Sequence, residues 1–227
     1  MLAREVKGGV STLALDRLAE TFIRDEGGEP AFKGYRGFPA SICTSINEEV
    51  VHGIPSAKRI LREGDIVSLD IGVRRNGLYG DAAGTYPVGE VAPQASKLME
   101  TTLRSLEMGI EQARPGNRLS DISAAIEEEA LRGGFHVVRA LVGHGIGREL
   151  HEEPQVPNYG RPGEGPKLRE GMVLSIEPMV NAGEADVVTL SDGWTVATAD
   201  RALSAHFEHT VAIGAQGPRV LSRVEAG

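Results

Sequence analysis

Cysteine is almost missing from this chain. Cys43 is the only one in 227 residues, so an internal disulfide is excluded and a reducing compartment fits. No apolar run approaches the roughly 20 residues that cross a bilayer, which argues against a membrane-spanning helix. The opening Met1-Leu-Ala-Arg-Glu-Val-Lys has no apolar signal-peptide core. A cytoplasmic location is the default expectation. Basic charge is in deficit, with 24 Lys and Arg against 32 Asp and Glu. With a net charge of −8 and no basic cluster, nucleic acid is not expected as a partner. Low-complexity segments and linkers long enough to separate independent domains are absent as well, and the length of 227 residues allows one large domain or two small ones. Nothing in the sequence demands an obligate interface, and monomer is the default.

What remains is an ordinary globular composition, 41% hydrophobic and 25% charged, with ample material for a core. Ser11-Thr12 reads as an N-cap, and Leu15, Leu18, Phe22 and Ile23 keep helical spacing until Gly27-Gly28. A second helical block runs from Leu98 through Ile110 to Pro115-Gly116. It resumes through Ile122, Ala125, Ile126 and Ala130 to Gly133-Gly134. Residues 29–55 and the chain after Phe135 read as short strands and loops, so helix followed by strands occurs twice. That order is a weak sign of two related halves.

Between the helical blocks lies Gly64-Asp-Ile-Val-Ser-Leu-Asp-Ile-Gly-Val-Arg-Arg-Asn-Gly-Leu-Tyr-Gly-Asp81, which reads as a β-hairpin turned at Asn76-Gly77. A two-residue loop pairs Asp81 with Gly72 and puts Asp70 on the same face. The two carboxylates become diagonal neighbours, with Cβ atoms roughly 7–8 Å apart or somewhat less. Like charges at that spacing repel unless a cation sits between them, or unless both are simply solvated.

Three further groups have chemistry. His144 sits in Gly143-His-Gly-Ile-Gly147, with His151 seven residues on. Glu177 follows the apolar run Met172-Val-Leu-Ser-Ile and is fixed by Pro178, a costly place for an unpaired carboxylate. Glu208 lies in Ser204-Ala-His-Phe-Glu-His-Thr-Val-Ala-Ile, where alternation puts His206, Glu208 and Thr210 on one strand face. Together, four carboxylates and an imidazole form an oxygen-rich donor set suited to Mn, Fe(II), Co or Zn. Four carboxylates can neutralise two divalent ions, an arrangement found in aminopeptidases and phosphatases.

These stretches, with Gly34-Tyr-Arg-Gly-Phe-Pro, Cys43-Thr-Ser-Ile-Asn-Glu-Glu-Val-Val-His-Gly-Ile-Pro, Gly80-Asp-Ala-Ala, Gly193-Trp-Thr and Phe207-Glu-His-Thr, resemble the type I methionine aminopeptidases from about Val6 to Leu221. The resemblance implies the α+β pita-bread fold, two pseudo-symmetric αβ halves around a curved antiparallel sheet. It also implies a dinuclear metallo-aminopeptidase that removes the N-terminal methionine of peptides and nascent proteins, close to the ribosome, when the second residue is small. Carried over by position, the metal ligands are Asp70, Asp81, His144, Glu177 and Glu208. Asp81 and Glu208 would bridge two divalent ions (Co, Mn, Fe(II) or Zn), His144 and Glu177 would hold one ion, and Asp70 the other. A hydroxide bridging the metals would be the nucleophile, with Glu177 as proton shuttle. His151 would contact the scissile carbonyl, and His52 the amide nitrogen and the following residue. Tyr35, Phe38, Cys43 and Trp194 would form the methionine pocket.

The chain departs from the pattern in four places. It starts near the family's first turn, about one N-terminal helix later than relatives. Leu141 replaces an aromatic or Met, and Leu150 replaces a frequent Phe, which predicts a looser pocket. His206 stands where Gln is usual, next to the expected metal shell. The alternatives are an X-Pro aminopeptidase or prolidase, expected to be longer and to carry another His, and a non-catalytic binding protein of this fold, expected to have lost ligands.

Overall fold

The Asn76-Gly77 turn closes two ten-residue strands, with φ of 52° and 79° that match a primed hairpin turn. The computed structural model describes residues 1–223, and among them the hairpin is the spine of the larger sheet. In chain order, α1 (Thr12–Asp25) is followed by β1 (Glu29–Pro30), β2 (Cys43–Ile46), β3 (Glu49–Val51), β4 (Ile66–Arg75) and β5 (Leu78–Pro87). Helices α2 (Pro93–Gln112) and α3 (Leu119–Gly133) come next, then β6 (His136–Val137), β7 (Val142–Gly145), β8 (Glu152–Pro157), β9 (Val173–Ile176) and β10 (Met179–Asn181). The chain closes with β11 (Val187–Thr189), β12 (Val196–Thr198), β13 (Ser204–His206), β14 (Glu208–Gly214) and β15 (Gly217–Val220).

The larger sheet has nine strands, with β1-β4-β5-β14-β9-β7-β8 as its path, β2 beside β4 and β15 beside β14. Its pairings are antiparallel, and they join the first hairpin to the C-terminal strands through β5 and β14. Side-chain alternation then divides the sheet into two unlike faces. Val67, Leu69 and Ile71 of β4, with Tyr86 of β5, pack against Leu15 and Ala19 of α1. Leu174, Ile176, Val211 and Ile213 pack against Leu98, Leu106, Ile122 and Ile126 of α2 and α3. Each half of the sheet therefore has its own helical cover. The opposite face carries Ser68, Asp70, Asp81, Thr85, Ser175, Glu177, Glu208 and Thr210, and these side chains hold the site.

Local signals start and stop the helices. Ser11 Oγ accepts from the Ala14 N–H at 3.2 Å and caps α1. Pro93 opens α2 at a position that needs no N–H. Gly134, at φ 85°, closes α3. The expected single strand from Ser204 to Ile213 is interrupted at Phe207: His206 in β13 pairs with Met179, whereas Glu208 in β14 pairs with Ala83. No helix among the described residues is long and apolar enough to cross a membrane.

Asp16 links α1 to the segment leading to Cys43. Its buried carboxylate accepts from the backbone N–H groups of Ser41 (2.8 Å) and Ile42 (3.1 Å). Asp16→Ala leaves both donors buried without a partner, and urea unfolding should show a loss of roughly 2 kcal/mol. An unchanged midpoint would mean that water replaces the carboxylate.

Candidate metal centre

Strand register puts the two aspartates together, as the hairpin pattern requires. Gly72 lies opposite Asp81, and Asp70 opposite both Ala83 and Cys43. Thr210 Oγ1 fixes Asp81 from the neighbouring strand by accepting from its backbone N–H (2.9 Å) and donating to its backbone carbonyl (2.8 Å). Glu208 is held by Ser175, whose hydroxyl donates to Oε1. Asn158 Nδ2 donates to the Glu177 carbonyl at 3.1 Å, anchoring the backbone just beyond β9. His144 lies between glycines for steric reasons: a Cβ on Gly143 would meet the Ser175 carbonyl, and one on Gly145 the Glu153 carbonyl.

A cavity of about 170 Å³ opens onto this face. Every ligand and pocket residue expected from the sequence lines it: Tyr35, Phe38, Cys43, His52, Asp70, Asp81, His144, His151, Glu177, Trp194 and Glu208. Phe32, Arg36 and Leu150 complete the wall. Leu141 instead packs with Val50, Val138, Met179 and Val196, outside that lining. The expectation that Leu141 loosens the pocket is therefore dropped, whereas Leu150 remains in place for it. Phe32 and Arg36 were missed because no local pattern marks them. Arg36 has a left-handed backbone (φ 49°) beside Gly37, which turns the guanidinium over the Tyr35 ring at 5.3 Å.

The electrostatics call for positive charge. Asp70, Asp81, Glu177 and Glu208 are desolvated together. Burial first, and the neighbouring carboxylates second, push Asp70, Glu177 and Glu208 well above the usual carboxylate range. Asp81 is raised by burial to about 7. Asp70 Oδ1 is buried with no hydrogen-bond partner among the described residues. His144 donates from Nδ1 to the Gly145 carbonyl at 2.8 Å, so its Nε2 lone pair faces Glu177 Oε1 at 3.5 Å. Two acceptors meeting at buried positions need a proton or a cation between them. One ligand atom each of Asp81, His144 and Glu208 lies within 4.8 Å of the others, so a single ion can reach all three. Hard carboxylate oxygens and one imidazole fit a divalent metal.

The histidines are pushed the other way. Burial lowers His52 and His144, and burial with His144 and Arg36 nearby takes His151 down to about 4. Tyr35 Oη lies 2.8 Å from His151 Nδ1, and the His144 and His151 rings meet at 4.3 Å between centroids with their planes tilted by 53°. Across the cavity, Phe38 and Trp194 meet edge to face at 5.1 Å. His52 has a left-handed backbone (φ 59°), an unfavourable conformation for a non-glycine residue of the kind found at functional sites.

A buried acidic cluster with one imidazole, set on a curled antiparallel sheet with helical covers, has the make-up of a metal centre. The chain belongs to metallopeptidase family M24, whose profile matches residues 1–215. It is 57% identical over 225 residues to a methionine aminopeptidase of Clostridium acetobutylicum, covering 99% of this chain and 90% of that one. The crystal structure of a methionine aminopeptidase from Thermotoga maritima superposes with a TM-score of 0.97 at 46% identity, covering 98% of this chain and 90% of that one. A prolidase from Pyrococcus horikoshii shares the pita-bread fold (TM-score 0.78) at 24% identity, and this chain covers 57% of its length.

The raised acids give the metal-free protein a defined pH dependence. A group whose folded pKa lies above its unfolded value stabilises fully below the unfolded value and ceases to do so as pH rises through the folded one. For Asp81 that window runs from the ordinary 3.8 up to about 7. In the presence of chelator, Asp81→Asn should therefore gain stability relative to the parent protein between pH 5 and pH 8. Parallel melting curves across that range would refute the shift.

Proposed function

We propose that this chain is a methionine aminopeptidase that removes the N-terminal methionine of peptides and nascent proteins when the second residue is small. Residues 1–227 act as one catalytic domain, working as a monomer in the cytoplasm near the ribosome. The observation that carries the reading is the meeting of His144 Nε2 and Glu177 Oε1 at 3.5 Å, in a cavity shared with Asp70, Asp81 and Glu208. In this reading Asp70, Asp81, His144, Glu177 and Glu208 would hold two divalent ions, drawn from Mn, Fe(II), Co and Zn. Bound, the ions supply Lewis acidity and make a water-derived nucleophile available at neutral pH.

The side chains do the rest. Tyr35, Phe38, Cys43 and Trp194 receive the thioether, since aromatic faces and a soft sulfur are favourable contacts for it. Burial raises Cys43 well above the usual thiol range, which suits it to packing against substrate as an unreactive thiol. With the Tyr35 hydroxyl donating to Nδ1, the neutral His151 ring presents its Nε2–H to the scissile carbonyl oxygen as negative charge develops there. The Glu177 carboxylate takes the proton of the attacking water and returns it to the leaving amine nitrogen. His52 stands beside that nitrogen and the following residue, where its fixed backbone leaves little room for a large side chain. Leu150, in place of a bulkier aromatic, leaves the wall less filled.

Metal-stripped protein should release methionine from Met-Ala-Ser, and barely from Met-Lys-Ser, once Mn, Fe(II), Co or Zn is restored. Asp81→Ala should abolish release, and His151→Ala should lower kcat by roughly 10²–10³. Folded protein that cleaves neither peptide with any of these metals would sink the assignment.

A further inference from the structure

His206 is a buried polar side chain that the reaction above does not use. It is 2% exposed, and neither ring nitrogen has a hydrogen-bond partner among the described residues. Two unmade hydrogen bonds on one buried ring are costly, and a native structure rarely keeps them without a reason. The ring also cannot drift away to find partners. The backbone N–H of His206 donates to Thr85 Oγ1, whose hydroxyl donates back to the His206 carbonyl, both at 2.9 Å. Strand β13 is further pinned by its pairing with β10, where His206 lies opposite Met179. What the ring faces is Glu177: Nε2 is 3.9 Å from Oε2, beyond hydrogen-bond reach by less than an ångström.

The two oxygens of Glu177 are thus divided between two imidazoles. Oε1 faces the lone pair of His144 Nε2, the pairing that needs a proton or a cation, and Oε2 faces His206. We infer that His206 is a positioning residue for the metal centre, its Nε2–H donating to Glu177 Oε2 in the loaded protein so that Oε1 stays turned toward His144 and the ion they share. The inference rests on the metallopeptidase reading above and deepens it. Nε2 and Oε2 lie 3.9 Å apart, so a small turn of the carboxylate makes the bond, and a bond made as the ion is held adds to metal affinity. Outer partners of ligating carboxylates act in this way, and their loss typically weakens metal binding by 10–100-fold.

The test is calorimetric titration of metal-stripped protein with Mn²⁺, together with melting of the metal-free form. His206→Leu should weaken Mn²⁺ binding by about 10–100-fold. The melting temperature without metal should stay level or rise, because an unpartnered buried polar group has been replaced by an apolar one. His206→Gln, which keeps an N–H donor, should bind within about threefold of the parent protein. If Leu is not tolerated, His206→Met fills the space without a donor and takes its place. Parent-like affinity in the Leu or Met variant overturns the inference, above all if metal-free melting falls, since that describes packing alone. Gln binding as weakly as Leu overturns it too, because the donor would then be irrelevant. A parent protein that binds none of Mn, Fe(II), Co or Zn defeats the metallopeptidase reading itself, a failure visible before any variant is made.

Discussion

Four carboxylates are desolvated together on one face of the large sheet, and the rest of the structure has to tolerate that. Bringing Asp70, Asp81, Glu177 and Glu208 out of water makes their charged forms unfavourable, and their proximity adds repulsion. A fold can accept this when the opposing face supplies enough apolar burial. Here the same strands place Val67, Leu69, Leu174, Ile176, Val211 and Ile213 against three helices. Burying such a side chain contributes about 1.5–3 kcal/mol, which works against the desolvation cost of the acidic face. Site and core are therefore two faces of the same strands.

The alternation made much of this legible in the sequence. Asn76-Gly77 fixes the turn, the turn fixes the register, and the register brings Asp70 and Asp81 to one face and opposite partners. The helices were legible for a similar reason, since Ser11 and Gly134 act on their immediate neighbours, whereas Pro93 extends α2 further back than the apolar spacing from Leu98 showed. That Asp70, Asp81, His144, Glu177 and Glu208 meet in one cavity was expected only through motif resemblance, because nothing local says that a strand near residue 208 will lie beside one near residue 83.

What local pattern could not carry is the order of strands in space. The double hydrogen bond from Thr210 to the Asp81 backbone spans 129 positions and depends on β14 lying beside β5. Leu141 and Leu150 are nine positions apart with the same chemistry, yet one packs beside Met179 and the other lines the cavity. The break at Phe207 was invisible for the same reason. His206 and Glu208 keep the alternation of one strand while pairing with different neighbours, because the chain passes there from a three-stranded sheet into the nine-stranded one.

That passage has a chemical consequence. Burial drives carboxylic acids and imidazoles in opposite senses, and both senses lead to neutrality: the acids keep their protons and the histidines shed theirs. His206, held down to about 3 by burial and by His52, is the extreme case among the histidines, and Asp81, near 7, is poised to change. Without metal the site thus lowers its energy by discarding charge. A divalent ion offers the other solution, since each carboxylate that gives up a proton gains an attraction that burial strengthens. Metal entry is then an exchange of cations for protons, with affinity rising as pH rises. Neutral histidines suit the exchange: with Nδ1 donating to the Gly145 carbonyl, Nε2 of His144 keeps its lone pair, and neither His144 nor His151 competes with an ion for the carboxylates. The burial that makes the acidic cluster costly is also what ties it to metal.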